Sequence, residues 1–215
     1  MAYTTIDNPH KFFNTVLYTG NGTTDHAITG VGFQPDWTWL KKRNNADDHI
    51  LQDVVRGATK YVISNSTAVE GTYAEGFKSF DSDGFTLGNA NNTNQNTHTF
   101  VAWNWKADSS TSSNGNGDIT STVSVNTTAG FSIVSYTGTG SAATVGHGLG
   151  AVPKMFIVKN RDSTESWRVY HNALGATKEI YLDLSNAVGT SSSSFNDTEP
   201  TSSVFSVGTG NGTNK

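Results

Sequence analysis

The sequence predicts an all-β protein, built as two tandem antiparallel β-sandwich, jelly-roll-like domains joined by a Ser/Gly/Asn linker. Three observations lead there. The block Phe13–Lys60 returns as Phe131–Lys178, with Phe13 and Phe131, Tyr18 and Tyr136, Pro35 and Pro153, and Gly57 and Gly175 at one constant separation. Such self-similarity marks a tandem duplication. Charged residues make up only 15% of the chain, and Gly, Ser, Thr and Asn take their place, which favours short strands and turns over long helices. Turn signals also recur at short intervals between β-branched or aromatic runs. The 215 residues divide into a first repeat over 1–107, a linker over 108–118 and a second repeat over 119–215. A copy of about 100 residues can bury its own core.

In chain order, Met1–Lys11 is a polar lead-in and Val16–Thr19 a short strand. Asn21-Gly22 is a turn pair. Trp37–Lys42 reads as a strand with apolar residues on both faces, as does its counterpart Met155–Lys159, and such strands are central and covered twice. Lys41 and Arg43, matched by Lys159 and Arg161, leave these strands toward solvent. The tetrapeptide Gly57-Ala58-Thr59-Lys60 recurs as Gly175–Lys178 ahead of β-branched strands, fitting a tight hairpin connection. Phe77–Phe80 and Phe85–Gly88 flank Asp81-Ser82-Asp83-Gly84, a hairpin signal. An Asn-rich loop, Asn89–Asn96, leads to the strand Thr97–Lys106. The stretch Ala107–Asp118 has almost no apolar content and reads as a linker.

The second copy differs at its end. Phe85–Gly88 matches Phe205–Gly208 after an insertion of two residues, Asn94 falls on Asn214, and no counterpart of Thr97–Lys106 follows. A sandwich without that strand exposes unpaired edges. The expectation is a fragment of a longer protein, or a strand supplied by another segment.

Several functions are disfavoured by composition. A net charge of −4 gives no basic footprint for nucleic acid or an anionic membrane. The chain has no Cys, hence no disulfide or thiolate metal site. The start MAYTTIDNPHKFF lacks the basic and apolar regions of a signal peptide, and no apolar run approaches the roughly 20 residues a membrane span needs.

Candidate chemistry is thin. Asp81-Ser82-Asp83-Gly84 offers two carboxylates where calcium wants six to eight oxygens, so a plain turn is the better reading. Its second-copy region holds Asn196, Asp197 and Glu199. Asp47-Asp48 reads as a solvated pair, and Asp47 against Glu165 is the nearest thing to an acid retained in both copies. His10, His26, His49, His98, His147 and His171 show no ligand spacing, and none keeps its place between copies. No nucleophile elbow exists, and the Gly-rich stretches precede no helix that could bind phosphate. Asn-x-Ser/Thr at Asn21, Asn65, Asn91, Asn126 and Asn211 serves as turn residues. With 34% apolar residues overall, Trp37, Trp39, Trp103 and Trp105 are most economically placed in the core. Trp167, beside Arg168 and Tyr170, is the better candidate for an exposed ligand or subunit contact, because its first-copy counterpart is polar His49. The reading is a non-enzyme with no cofactor.

The phrases YTGNGT, GVGFQPDW, SFDSDGF, FVAWNWKA, GFSIVSYTGTG and VGHGLGAVPKMFIVKNRD together resemble a repeated domain of unknown function in structural proteins of marine tailed bacteriophages. The resemblance covers nearly the whole chain. It implies a virion protein, made in the bacterial host cytoplasm, of the tail-fibre kind or another surface-exposed component used for attachment. Partners would be other virion proteins, further copies of the chain in a homo-oligomer such as a trimer, and host surface polysaccharide. A capsid decoration protein and a carbohydrate-binding module are the alternatives. The family brings no established catalytic residues.

Overall fold

A computed structural model describes residues 6–215; the first five residues of the lead-in lie outside it. The chain forms two units, one holding the residues up to Ile63 with Glu70–Thr111, the other Ser64–Val69 with Ser112–Lys215. Both are all-β and sandwich-like. Among the described residues, no helix is long and apolar enough to cross a membrane.

The first unit pairs a six-stranded sheet with a three-stranded one. The large sheet runs β1 (Phe13–Thr19), β9 (Thr99–Trp105), β3 (Trp37–Lys42), β4 (Ile50–Asp53), β5 (Lys60–Ile63) and β6 (Gly71–Thr72). The small sheet runs β2 (His26–Thr29), β8 (Gly84–Leu87) and β7 (Phe77–Asp81). Each named pairing is antiparallel. The core lies between the sheets, where Leu40, Ile50 and Ala102 of the large sheet meet Ile28, Phe77, Phe85 and Leu87 of the small one. Each fully buried Leu, Ile or Phe contributes about 1.5–3 kcal/mol.

The strand Trp37–Lys42 is central, between β9 and β4, as its apolar faces suggest. Strand alternation turns Thr38, Leu40 and Lys42 inward, all buried, and Trp37, Trp39 and Lys41 outward, all half-buried. The tryptophans therefore lie on the face away from the sandwich core, not in it. Phe77, Phe85, Phe100 and Tyr18 already fill the interior, so the inward positions of β3 and β9 carry smaller groups such as Thr38, Ala102 and Asn104. The Asn-rich loop contains one short helical turn, α1 (Asn91–Asn94).

The second unit holds β10 (Ser112–Asn114), β11 (Ser121–Asn126) and β12 (Phe131–Ser135) in one sheet. A second sheet runs β14 (Met155–Val158), β15 (Arg168–His171), β16 (Lys178–Tyr181) and β17 (Gly189–Thr190), and β13 (Ala143–Gly146) pairs with β18 (Val204–Val207). A helical turn, α2, covers Ser192–Phe195. The linker expected over 108–118 thus contains a strand, because Ser112–Asn114 pairs with Ser121–Val123. Ile119, Val145, Phe205 and Val207 form one core cluster, and Tyr170, Ala176 and Phe195 another, with Phe156 packed against both.

The repeated residues hold the same joint in each unit. Tyr18 Oη donates to Thr93 O at 2.7 Å, and Tyr136 Oη donates to Thr213 O. Asn94, fully buried, accepts from Asn21 N–H at 3.0 Å and donates to Thr23 O at 2.9 Å and Gly88 O at 2.8 Å. Asn214, 1% exposed, repeats this with Thr139 N–H at 2.8 Å, Ser141 O at 2.5 Å and Gly208 O at 2.7 Å. The glycine after each Tyr-Thr pair is required by close approach: a Cβ on Gly20 would fall 2.2 Å from Gln95 O, and one on Gly138 2.5 Å from Lys215 N.

Candidate functional site

The three residues singled out by sequence, Trp167, Arg168 and Tyr170, come together on and beside β15, but as packed groups. Trp167 is only 6% exposed; its backbone N–H donates to Asp183 Oδ1 at 3.0 Å and its indole N–H to Ser66 O at 3.2 Å, within the same unit. Tyr170 is 1% exposed, stacks on Phe156 at 4.7 Å and donates its hydroxyl to Glu199. Burial first, then the Glu199 carboxylate, pushes its phenol pKa up. Arg168 reaches Glu179 at 3.1 Å and Glu165 at 4.0 Å, donates to Ser166 O at 2.9 Å and lies 4.5 Å from the Tyr181 ring centroid. Expected as an exposed contact surface, Trp167 and Tyr170 are buried and Arg168 is half-buried. Trp167 is buried because it sits under the Ser64–Val69 segment, which sequence assigns to the other repeat.

The first unit treats the same end of the sandwich differently. Ile50 stands where Arg168 stands in the second copy, and the cation comes from β3 instead. Lys42, 2% exposed, pairs with the Asp47 carboxylate, donates to Gln95 Oε1 at 2.7 Å and sits 5.9 Å from the Phe100 ring centroid. Asp47 and Glu165, the weakly matched acids, therefore face a cation at the same place. Around Lys42 the first unit leaves a polar cleft of about 420 Å³, lined by Asn45, Asp47, Tyr61, Asn92 and Gln95 among others.

Lys41 and Lys159, expected at solvent, instead fold back onto the loops that follow them. Lys41 Nζ donates to Lys42 O at 2.6 Å and Asn45 O at 2.9 Å; Lys159 Nζ donates to Asn160 O at 2.8 Å and Glu165 O at 2.9 Å. An ammonium has three donors and no acceptor, which suits it to gather the carbonyls of a tight loop. Burial pulls the Lys159 pKa down from its ordinary value, against the opposing pull of Asp183 and Glu165.

The outer face of the large sheet carries a row of aromatics. Phe13 packs on Trp105 at 4.7 Å, Trp105 on Trp37 at 4.6 Å, Trp37 on Trp39 at 6.0 Å and Trp39 on Trp103 at 6.2 Å. Trp39 donates its indole N–H to His49 Nδ1 at 3.0 Å. Burial, then the charge of Lys41, holds His49 below the ordinary histidine pKa, with Asp48 opposing. Leu17 on the adjoining strand is 59% exposed.

Asp81-Ser82-Asp83-Gly84 forms a turn with Asp81 paired to Gly84. Its carboxylates serve the protein: Asp83 accepts from Gly30 N–H at 3.1 Å and Gly32 N–H at 2.6 Å, and Asp81 from Ser79 Oγ at 2.8 Å and Thr86 Oγ1 at 2.7 Å. Among the described residues, no group of three or more His, Asp or Glu side chains is placed to share a metal ion.

The chain belongs to the family of a domain of unknown function (DUF7483), whose family model matches residues 8–215. That match runs through both repeats. No curated protein and no solved structure matches the chain.

Proposed function

For a chain of this family, we propose a structural role in a bacteriophage particle, as a tail-fibre or other surface-exposed component used in attachment. The observation that carries the reading is what the two copies share. Tyr18/Tyr136, Asn94/Asn214 and Lys41/Lys159 make matching bonds to backbone carbonyls in each unit, and every one of them ties a loop or turn in place. Side chains with reactive chemistry are what differ. A module selected for its joints and free at its loops suits a repeated spacer, and repetition raises avidity without tight single sites. The phage setting rests on the resemblance of the repeated phrases. The jelly-roll connectivity belongs to this proposal, supported by β9 returning between β1 and β3 and by β2 pairing with β8. The chain would be made in the host cytoplasm and assembled as a homo-oligomer with other virion proteins.

The test is electron microscopy of particles labelled with antibody to this chain. Label on fibres or the tail tip supports the reading. Label confined to the head makes it a capsid decoration protein, and unlabelled particles overturn the virion role.

One observation favours a second reading, a carbohydrate-binding module: the aromatic row Phe13, Trp105, Trp37, Trp39 and Trp103. Flat aromatic faces with polar edges suit wet ligand surfaces. Binding to host polysaccharide on a glycan array, lost in Trp103→Ala, would support it; an unchanged array would remove it.

A further inference from the structure

The cleft beside Lys42 is open in one unit and filled in the other. In the first unit it holds about 420 Å³ beside β3, β4, β5 and the α1 turn, within the range of small-molecule sites. Lys42 and Ile50 lie on the inward side of the large sheet, and Ile63 pairs with Ile50. Trp37, Trp39 and Trp103 share the outward side, so the cleft and the aromatic row are separate places.

In the second unit the matching residues close the place. Arg168 stands where Ile50 stands, and Gly212 where Asn92 stands. The arginine lies against that glycine: a Cβ on Gly212 would fall 3.2 Å from Arg168 Cζ and 3.4 Å from its Nε. The guanidinium reaches Glu179, at the position of Tyr61, at 3.1 Å. It lies 4.5 Å from the ring centroid of Tyr181, at the position of Ile63. Asn160, in place of Lys42, donates to Asn211 O at 2.7 Å.

The open copy instead keeps polar groups without partners. Lys42, 2% exposed, directs one N–H to Gln95 Oε1 at 2.7 Å and one to Asp47. An ammonium has three donors, and among the described residues nothing takes the third. The side-chain amide N–H groups of Gln95 and Asn92, which also line the cleft, have no partner among the described residues either. The lining decides what could complete them. Asp47 and Asp48 repel an anion, and Lys42 repels a cation. Donors stand beside carboxylate acceptors, a mixture matched by hydroxyl groups, each of which donates and accepts. Ile50, Ile63 and the Tyr61 ring add an apolar wall, which suits the C–H face of a sugar ring.

We propose that this cleft binds a neutral saccharide, with Lys42, Gln95 and Asn92 donating to its oxygens and Asp47 accepting from a hydroxyl. The side chain of Arg168 restricts the site to the first unit. The inference goes beyond the attachment role, since the site stands whether or not the chain is part of a particle.

The experiment records assigned amide NMR spectra of the full chain during titration with neutral gluco-, manno- and galacto-oligosaccharides. A uronic-acid oligosaccharide and chitosan oligomers serve as charged comparators. At least one neutral oligosaccharide is expected to give saturable shifts at residues 45–48 and 91–95, and the charged ones to bind about tenfold more weakly or not at all. Asn92→Phe, which fills the rim, is expected to abolish the shifts, and Gln95→Ala to weaken binding about tenfold through the lost hydrogen bond. Circular dichroism checks that each variant is folded, and Gln95→Ala carries the test if Asn92→Phe is not. The proposal is overturned if no neutral oligosaccharide shifts these residues, if a charged one binds as tightly, or if a folded variant binds like the parent. Shifts confined to Trp37, Trp39 and Trp103 also overturn it and move binding to the aromatic row.

Discussion

At one end of the sandwich the first unit buries Lys42 and the second half-buries Arg168, each near an acid at the same position, Asp47 or Glu165. The cation has moved from β3 to β15 while the carboxylate has stayed. The joint formed by Tyr18, Asn94 and Gly20 in one copy, and by Tyr136, Asn214 and Gly138 in the other, has not moved at all. The difference teaches where each kind of constraint lies. Backbone groups that must be bonded fix both partners of a joint, because an unbonded buried donor or acceptor costs its full desolvation. At an open end the cation can be supplied by either strand, and the second unit adds a nearer carboxylate, Glu179, where the first has Tyr61.

The joint is where the largest effect is expected. Asn94→Ala removes the side-chain partner of the backbone groups at Asn21, Thr23 and Gly88, of which the Gly88 carbonyl is the buried one, and should destabilise the first unit by about 3 kcal/mol, given about 1–3 for a buried unsatisfied group and less for the two nearer solvent. Asn214→Ala, which strips Thr139, Ser141 and Gly208, should cost the second unit nearly as much. Urea unfolding monitored by tryptophan fluorescence separates them, because Trp37, Trp39, Trp103 and Trp105 report on the first unit and Trp167 on the second. Equal loss in both units from either variant would break the account of two separate joints.

The swapped cations should behave unequally. Arg168→Met removes the cation beside Glu179, whose side chain is 9% exposed and keeps the hydrogen bonds from Tyr181 and Ser194, so the expected loss is about 2 kcal/mol, below that of a fully stranded buried charge. Lys42→Met frees Asp47, whose side chain is 31% exposed and can rehydrate, so the expected loss is about 1 kcal/mol or less. The same fluorescence-detected unfolding measures both. A Lys42→Met loss as large as that of Arg168→Met would show that the two ends are not equivalent plugs with different exposure.

Much of this was legible in the chain. The duplication, the Asp-Gly hairpin, the central place of Trp37–Lys42 and the match of Asn94 to Asn214 all follow from residue identity at constant spacing. What was not legible required a third dimension. Alternation says that Trp37 and Trp39 share a face but not which face is inside; that depends on how much aromatic volume the opposite sheet supplies through Phe77 and Phe85. The fold-back of Lys41 and Lys159 onto the carbonyls that follow them depends on a loop doubling back. The burial of Trp167 depends on Ser66, far away in sequence. A signal for these cations did exist: Asp47 and Glu165 match while Lys42 faces Asn160 and Arg168 faces Ile50, which is the pattern of a retained acid with an exchanged partner.

The smallest effect concerns two histidines that are held neutral, one per unit. His147, 3% exposed, accepts Leu149 N–H at Nδ1 at 3.2 Å and sets Nε2 on Thr201 O at 3.2 Å, while His49 accepts the Trp39 indole N–H. Protonating either removes the acceptor, and burial lowers both pKa values. The unfolded chain therefore takes up these protons first, near an ordinary histidine pKa of about 6.5. Stability from these groups is present above that pH and is lost as pH falls below it toward the folded values. The urea midpoint of each unit is expected to drop between pH 7.5 and 5.5, by on the order of 1 kcal/mol or less per histidine. The carboxylates held low by hydrogen bonds, Asp25 with Lys78 and Asp118 with Thr144, lose their contribution only below about pH 4, outside that window. His147→Gln, which keeps a donor and an acceptor in place, is expected to flatten the slope of the second unit alone. A slope that survives the substitution would assign the pH dependence to another group, and a slope lost from both units would mean that the two do not unfold independently.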